Sequence, residues 1–435
     1  MSQNQALRVI ERFNSLPIER RMEVFRSLSA KAREELIAVV DHPEEIVRHI
    51  SEEEFYVTIK EIGEENTPAL LTYVTGRQLQ YILDVELWKK DMFNAHAAGH
   101  WLEILSSVGE EKLMHFLQVT DPEVVLLGLT PFLRVSLRNP EVDLLEEMDY
   151  LPPFTLDDLF YIEFKSPRLE GPLKRLLYTI FEWDRDFYFS LMEHLCLGMN
   201  FEHESEALRK RRARLSEKGF PDFDEALQIY QHLGAESVTL SLRCPPSEEW
   251  EVEEGGVLVY PLRLIEGETL FRECLKRLPD VREQERIARE LGHLANKVIV
   301  ADARDPGSLD DLIGTLRKVS GYINITLEHL CGTDVLAASM LLRANHMEIL
   351  FRRGFSLILD LRKEVQRLIR ETEGGAENLG YPLADMVNGL LRKRPVYLGD
   401  LALGGKAREF ERLADLERIR EYMDRDRIEE RWEPV

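Results

Sequence analysis

Cysteine is scarce in the sequence, and its four residues stand far apart. Cys196, Cys244, Cys274 and Cys331 form no CxxC pair among the 435 residues. A disulfide framework or a zinc ribbon needs closely spaced cysteines, so this spacing excludes both.

Long apolar runs are also missing. The most apolar segment, VVLLGLTPFL, is half the length of a membrane-spanning helix and contains a proline. The first residues, MSQNQALRVIERF, show no basic region followed by an apolar stretch, as a secretory signal would. We therefore predict no membrane insertion and a cytoplasmic location.

An excess of positive charge is absent as well. The 79 acidic residues outnumber the 56 lysines and arginines, and a net charge of −23 repels phosphate. We therefore expect no nucleic acid as a partner, whereas a basic protein or a divalent cation stays open. The composition, 44% hydrophobic and 31% charged, is that of a globular protein, and the length favours two or three domains.

The segment SEEEFYVTIKEIG contains signals for both ends of a helix. Ser51 can cap the first turn while Glu54 reaches back to it, which is a capping box. Ile50 and Phe55 are spaced as a hydrophobic staple, and Gly63 can end the helix.

The same punctuation recurs along the first third of the chain. Thr75 and Gln78 form a second candidate capping box, and Val74 and Leu79 a second staple. Other joints place a proline near a first turn, at Pro17, Pro43, Pro122 and Pro131. With one gap after Leu83, the apolar residues before successive joints lie 9 to 12 positions apart: Leu16, Leu28, Val40, Ile50, Ile62, Val74, Leu83, Val108, Val119 and Leu129. We predict about ten short helices over residues 1–140.

Helices of about ten residues are marginal alone and must bury their apolar faces on neighbours. Stacked in series, they form a superhelix whose surface binds other molecules. The run LPIERRMEVFRSLS…ISEEEFYVTIKEIG resembles the short-helix superhelical domain of MgtE-type magnesium transporters and the related domain of the flagellar protein FliG. The resemblance implies a fold and not transport, because the transporter's membrane helices and nucleotide-sensing modules are not found in this sequence.

We predict an all-α fold in four parts. Residues 1–145 form the superhelical domain, 146–235 a helical middle segment, 236–265 a linker, and 266–435 a C-terminal bundle of longer helices. The edges of the linker, VTLSLR and VLVYPLRL, also fit one small hairpin within 238–264.

Four phrases resemble an uncharacterised bacterial family, the domain of unknown function 6178. They are FTLDDLFYIEF at 154–164, GFPDFDEALQIY at 219–230, NKVIVADARDP at 296–306 and GYINITLEHL at 321–330. In the first phrase, Thr155 and Asp157 are placed to start a helix. The resemblance covers nearly the whole chain and implies no activity.

A repeated tetrapeptide, EHLC, is the most conspicuous candidate metal site. It places His194 beside Cys196 and His329 beside Cys331, and these residue types bind zinc or iron. Residues two apart on a helix point about 200° apart, which makes His-x-Cys a poor chelate. We predict that the four residues share no metal and that Cys196 and Cys331 are mostly buried as reduced thiols.

Two weaker metal patterns lie on other predicted helices. His96 and His100 are at i and i+4, as on zinc-binding helices, but the glutamate of HExxH is missing. Glu290-x-x-His293 matches half of a di-iron pair, and no second ExxH exists in the chain. Both patterns are more typical of surface or core residues.

Phosphate-binding patterns are equally incomplete. Gly405 and Lys406 resemble part of a phosphate loop, but the signature needs Ser or Thr where Ala407 stands, so a helix-start turn is the simpler interpretation. The basic runs at 209–214 and 392–394 could bind nucleic acid or a membrane surface. They lie in an acidic chain without interleaved aromatics, which favours an ion-paired helix face.

Polar residues interrupt several apolar helices of the C-terminal part. They are Asn296, Lys297, Asp302, Asn324 and Asn345. Buried polar groups need partners, so we predict that these side chains form one network, which either fixes the helix register or lines a pocket.

The leading functional hypothesis is a non-catalytic cytoplasmic scaffold or adaptor that binds another protein through the helical superhelix. Two alternatives remain: an enzyme or small-ligand binder with a pocket in the C-terminal bundle, and a magnesium-responsive regulator. We assign no catalytic, cofactor-binding or metal residue and expect no cofactor.

Overall fold

A computed structural model describes residues 3–139, 141, 150–198, 201–234, 258–278, 280–372, 374–399 and 404–430. Within them it contains 22 α-helices and two small antiparallel sheets, which confirms the predicted all-α class. The described residues divide into two compact units, one up to Leu215 and one from Ser216. The predicted middle segment, 146–235, is therefore shared between the units.

Ten helices lie between Gln3 and Leu129, as the recurring joints predicted. They are α1 Gln3–Asn14, α2 Ile18–Ser27, α3 Ala30–Ile37, α4 Pro43–Arg48, α5 Glu52–Ile62, α6 Pro68–Thr72, α7 Gly76–Glu86, α8 Ala95–Val108, α9 Glu110–Val119 and α10 Pro122–Leu129. Each has 5 to 14 residues and buries apolar side chains against its neighbours. The first unit is thus built from short steps.

Most helix starts and stops in this stretch follow the predicted residues. Ser51 Oγ accepts a hydrogen bond from the N–H of Glu54 at 3.1 Å, but the Glu54 carboxylate accepts from Arg33, so the second arm of the predicted capping box is wrong. Thr75 and Gln78 complete both arms of a capping box, at 2.9 and 3.4 Å. Gly63 ends α5 with φ of 95°, a backbone conformation that glycine adopts without steric cost.

Two predicted joints are wrong. Leu83 lies inside α7, and Pro131 follows α10 in a turn instead of opening a helix. An apolar residue and a proline each occur at more than one helix position, so neither alone marks a boundary. A hairpin of β1 (Trp88–Lys89) and β2 (Met92–Phe93) separates α7 from α8.

A three-stranded antiparallel sheet occupies the place of one predicted helix. β3 (Leu133–Leu137) pairs with β5 (Phe160–Phe164), which also pairs with β4 (Phe154–Thr155). Asp157 Oδ1 accepts hydrogen bonds from two backbone N–H groups at the start of β5, at 2.9 and 2.8 Å. Threonine and aspartate close such turns as readily as they cap helices, so the predicted helix start at Thr155 and Asp157 is wrong.

Among the described residues, three further helices follow in the first unit, the last of which ends just beyond it, and nine lie in the second. The former are α11 Glu170–Trp183, α12 Arg185–Leu197 and α13 Phe201–Glu217. The latter are α14 Phe223–Ala226, α15 Tyr260–Leu264, α16 Leu270–Lys276, α17 Val281–Ala301, α18 Leu309–Cys331, α19 Val335–Ala344, α20 Met347–Glu371, α21 Leu383–Leu390 and α22 Leu413–Glu430. The predicted hairpin is not supported where it can be checked, because 260–264 is α15, with Pro261 in its first turn. Its first strand lies outside the described residues.

The helices α17, α18 and α20 form the core of the second unit. At Gly354 the backbones of α18 and α20 touch, since a Cβ there would lie 1.9 Å from the carbonyl oxygen of Tyr322. The Tyr322 ring packs against Phe351 and Phe355, with centroids 5.1 and 5.8 Å apart. This contact fixes the register of the two helices.

No single helix of the described residues has the length and apolar character needed to cross a membrane. The successive helices α18 and α19 satisfy that test only when counted together, and they are bent by 119°. Most of α18 is buried inside the second unit.

Candidate functional site

The two EHLC tetrapeptides occupy different surroundings. His194 lies on α12 with Nδ1 2.6 Å from the carbonyl oxygen of Ser190, whereas His329 lies at the end of α18. Cys196 and Cys331 are only half-buried, so their predicted burial is wrong. No group of three or more His, Cys, Asp or Glu side chains in the described residues could hold a metal ion.

The glutamates of two metal-like motifs cap other helices. Glu328 Oε2 accepts a hydrogen bond from the N–H of Leu413, the first residue of α22, at 2.6 Å. Glu290 Oε2 accepts one from the N–H of Met347, the first residue of α20, at 2.8 Å. Each carboxylate thus fills a place normally taken by a local capping residue.

The basic run at 209–214 is ion-paired, as the acidic composition of the chain indicated. Arg211 is buried and donates to the carbonyl oxygen of Asp84 at 2.6 Å. Arg214 donates two hydrogen bonds to the Asp84 carboxylate, at 2.6 and 2.7 Å. These contacts attach α13 to α7. In the other pattern Lys406 opens no helix, because α22 begins at Leu413.

The polar residues predicted to form one network are dispersed among separate contacts. Asn296 donates to the carbonyl oxygen of Lys218, Lys297 pairs with Glu348, and Asn345 donates to the carbonyl oxygen of Leu341. Asn324 accepts from the N–H of Phe271 and donates to Glu328. Only Asp302 enters a larger cluster, so the prediction of a single network is wrong. Residues at unrelated helix positions face different neighbours.

A cluster of charged and aromatic side chains lies inside the second unit. The C-terminal charged cluster comprises Tyr230, Asp302, Arg304, Lys318, Arg394 and Glu409. The Asp302 carboxylate accepts from Lys318 Nζ at 2.8 Å, Tyr230 Oη at 2.9 Å and Arg394 Nε at 2.5 Å. Burial would raise the pKa of Asp302, but Lys318 and the other donors hold it below its ordinary value.

Two buried oxygen atoms at this cluster make no hydrogen bond to any described residue. They are Oη of Tyr322, a residue with 0% of its surface exposed, and Oε2 of Glu409, which lies 3.9 Å from Lys318 Nζ. Burial raises the pKa of Glu409, and the Glu409 charge in turn raises that of Tyr322 beyond the effect of burial. Unpartnered buried polar atoms are uncommon and call for an explanation. Three of the four family-like phrases supply Tyr230, Asp302 and Tyr322.

A second candidate site is an open cleft of the first unit with a volume of about 200 Å³. The acidic cleft is lined by Glu64, Glu65, Pro68, Leu71, His100, Glu103, Ile104, Ser107 and Val108. The turn after α5, helix α6 and one face of α8 supply these residues. The lining combines three carboxylates with aliphatic side chains.

Most charges of the acidic cleft are already paired. The Glu64 carboxylate accepts from Lys60 Nζ at 2.6 Å and lies 2.9 Å from His100 Nε2. Burial would raise the pKa of Glu64, but these two contacts hold it below its ordinary value. Arg168 donates to both oxygens of Glu103, at 2.7 and 2.5 Å. Glu65 makes no hydrogen bond to any residue that the structure describes.

The sequence identified only part of each candidate site. The sequence pointed to Asp302 only as a member of the predicted polar network, and to His100 only as half of a zinc-like histidine pair. Glu64 and Glu409 were missed as site residues. Spacing relates Glu64 only to Lys60, four positions before it, whereas His100 lies 36 positions from Glu64 and Arg304 lies 105 positions from Glu409.

Comparison with known proteins addresses the family and not the site. A model for a family of unknown function, DUF6178, matches residues 10–432. The chain belongs to that family. This confirms the resemblance inferred from the four phrases. No curated protein and no solved structure matches the chain. The resemblance to the MgtE-type and FliG domains stays a prediction.

Proposed function

We propose that the chain is a non-catalytic cytoplasmic scaffold or adaptor that binds another protein at the acidic cleft of its N-terminal helical stack. The observation that carries this proposal is the size and lining of the cleft. At about 200 Å³ it is smaller than the roughly 300–1,000 Å³ of sites for small molecules and cofactors. It has room for one side chain of a partner.

The lining favours a long basic side chain. Pro68 and Val108 offer apolar surface for a methylene stem, and Glu65 offers an acceptor for a charged head. The net charge of −23 favours approach of a basic partner and repels an acidic one. A lysine or arginine on a partner protein therefore matches both parts of the cleft.

Photo-crosslinking in cells of the native host tests this function. The full chain carries benzoylphenylalanine at Ser107, which lines the cleft, or at Leu197, an exposed control position of the same unit. We expect one protein to be captured at 107 through a peptide that contains lysine or arginine, and to be lost in Glu65→Lys. Capture of the same proteins at 197, or capture unaffected by Glu65→Lys, would refute the proposal.

A second candidate function is binding of a small polar molecule at the C-terminal charged cluster. The unpartnered oxygens of Tyr322 and Glu409 favour it, because a ligand with donor and acceptor groups would satisfy both. Native mass spectrometry of the untagged chain tests it. A retained mass that disappears in Tyr322→Phe supports a ligand, whereas the bare chain mass in both proteins counts against one.

A magnesium-responsive regulator stays a prediction that we place behind these two. A magnesium site would need two neighbouring carboxylates, and the acidic cleft offers Glu64 and Glu103. Both already accept hydrogen bonds from cationic side chains. Magnesium would have to displace those cations, which makes the cleft a poorer cation site than an acceptor for a basic side chain.

A further inference from the structure

Arg168 supplies a guanidinium at the rim of the acidic cleft from within the chain. Its Nε and one terminal nitrogen donate to the two oxygens of Glu103, which is the paired geometry typical of arginine and carboxylate. The hydrogen bonds to Glu103 and its charge raise the pKa of Arg168, and the charge of Glu65 adds a smaller contribution. Both carboxylates therefore act on one cation.

The backbone next to Arg168 is held in place by packing, whereas the Arg168 side chain is exposed and can move away from Glu103. Leu169 is buried, and a Cβ at Gly99 of α8 would lie 2.9 Å from Leu169 Cδ1. Gly99 and Glu103 are one turn apart on the same face of α8. The contact between Leu169 and Gly99 therefore places the neighbouring Arg168 next to Glu103. The Arg168 side chain itself is 74% exposed, and an exposed ion pair holds it only weakly.

We infer that the acidic cleft binds an arginine side chain of the partner protein and that Arg168 competes for the same carboxylates. This inference rests on the proposed function and adds the identity of the bound residue. Displacing Arg168 from Glu103 costs little free energy, because an exposed ion pair contributes at most about 1 kcal/mol, which corresponds to roughly a fivefold change in affinity. Lysine cannot reproduce the two parallel hydrogen bonds that Glu103 accepts from Arg168.

Methyl NMR of the full chain provides the test, with Ile104 as reporter. Ile104 lines the cleft and is 94% buried, and Ile104→Val assigns its δ1 methyl signal. The probes are N-acetyl-arginine amide, N-acetyl-lysine amide and the uncharged isostere N-acetyl-citrulline amide. We expect saturable shifts of the Ile104 methyl with the arginine probe at millimolar concentration and none with citrulline.

Two substitutions distinguish competition by Arg168 from a general effect of the charge of the protein on binding. Arg168→Ala should tighten binding of the arginine probe about two- to fivefold, and Glu65→Gln should weaken it. Arg134→Ala is the matched control, because Arg134 is also exposed and paired in the same unit, with Glu163 at 3.8 Å. It should leave the affinity unchanged.

Several outcomes would overturn the inference. They are equal shifts with citrulline, equal binding of the lysine probe, and unchanged affinity in Arg168→Ala. If the crosslinking experiment captures a partner at 107 while the arginine probe fails, the scaffold function stands and the assignment of arginine fails. If neither experiment is positive, the scaffold function itself is wrong.

Discussion

The helices α5 and α7 of the first unit and the helices α20 and α22 of the second start in different ways. In the first unit, Ser51 and Thr75 accept hydrogen bonds from N–H groups three residues ahead. In the second, the first N–H groups of α20 and α22 donate hydrogen bonds to Glu290 and Glu328, which lie 57 and 85 positions away in the sequence. A local cap lets a helix start next to its own signal. Distant caps make a helix start depend on tertiary packing.

The acidic cleft and the C-terminal charged cluster also place charge differently. The first has an ion pair at its surface, where Arg168 is 74% exposed. The second encloses Asp302 and Lys318, whose side chains are 5% and 1% exposed. A buried pair is costly to break, because either member left alone is an uncompensated charge, whereas an exposed pair exchanges with solvent or with a partner. The first arrangement suits binding, and the second suits a fixed core.

The largest effect should come from Asp302→Ala. It leaves Lys318 buried without the acceptor at 2.8 Å and should destabilise the second unit by about 3–5 kcal/mol. Hydrogen-exchange mass spectrometry of α17 and α18 in denaturant measures the loss. Glu364→Ala, which breaks the exposed pair with Arg420, is the control and should cost below about 1 kcal/mol. Equal costs would remove the distinction between buried and exposed pairs.

Within the first unit, Arg211→Ala should cost about 2–3 kcal/mol. The change leaves a buried carbonyl of Asp84 without its donor and removes the guanidinium from the Trp88 ring, 5.6 Å away. Tryptophan fluorescence during denaturation reports it. Arg209→Ala, on an exposed pair with Glu206 of the same helix, should change stability by about 0.5 kcal/mol or less. A larger effect at Arg209 would contradict the burial argument.

Removing a distant cap should cost about 2 kcal/mol. Glu328→Ala deprives the N–H of Leu413 and the amide of Asn324 of a charged acceptor. Its matched control is Glu193→Ala, in the other copy of EHLC, where the glutamate is exposed and substitution should be nearly neutral. Protection of α22 from hydrogen exchange measures the difference. Similar losses of protection in both variants would show that the effect of Glu328 does not come from its hydrogen bonds to Leu413 and Asn324.

These contrasts explain how far the sequence could predict the structure. Caps at Ser51 and Thr75 were found because donor and acceptor are three residues apart, and the short helices followed from them. Glu328 was noticed only as part of a metal-like tetrapeptide, since nothing near it in sequence points to Leu413. The sheet was missed because threonine and aspartate serve turns and helix starts alike. Tertiary partners were not predictable from spacing.

The response of the first unit to acid should depend on Glu64. Its pKa is lower in the folded chain than the ordinary value of 4.5, because Lys60 and His100 stabilise the ionised form against burial. The stabilisation is therefore fully present above pH 4.5 and is lost as pH falls through the lower folded value. Thermal unfolding between pH 6 and about 3 should show a shallower decline in Glu64→Gln than in the wild type. Parallel curves would mean that other carboxylates dominate.

The smallest effect should come from the local cap at Ser51. Ser51→Ala removes one hydrogen bond, from the N–H of Glu54 at 3.1 Å, and should destabilise the first unit by about 1 kcal/mol. Ser51→Asn is the control, because asparagine caps helices as well as serine does and should restore most of the stability. The loss at Ser51 should be about half of that at Glu328, since serine satisfies one neutral donor and the glutamate two donors with a full charge. Denaturant midpoints of both variants decide this. If Ser51→Ala costs as much as Glu328→Ala, the start of α5 also depends on tertiary contacts, and a local cap contributes no less to stability than a distant one.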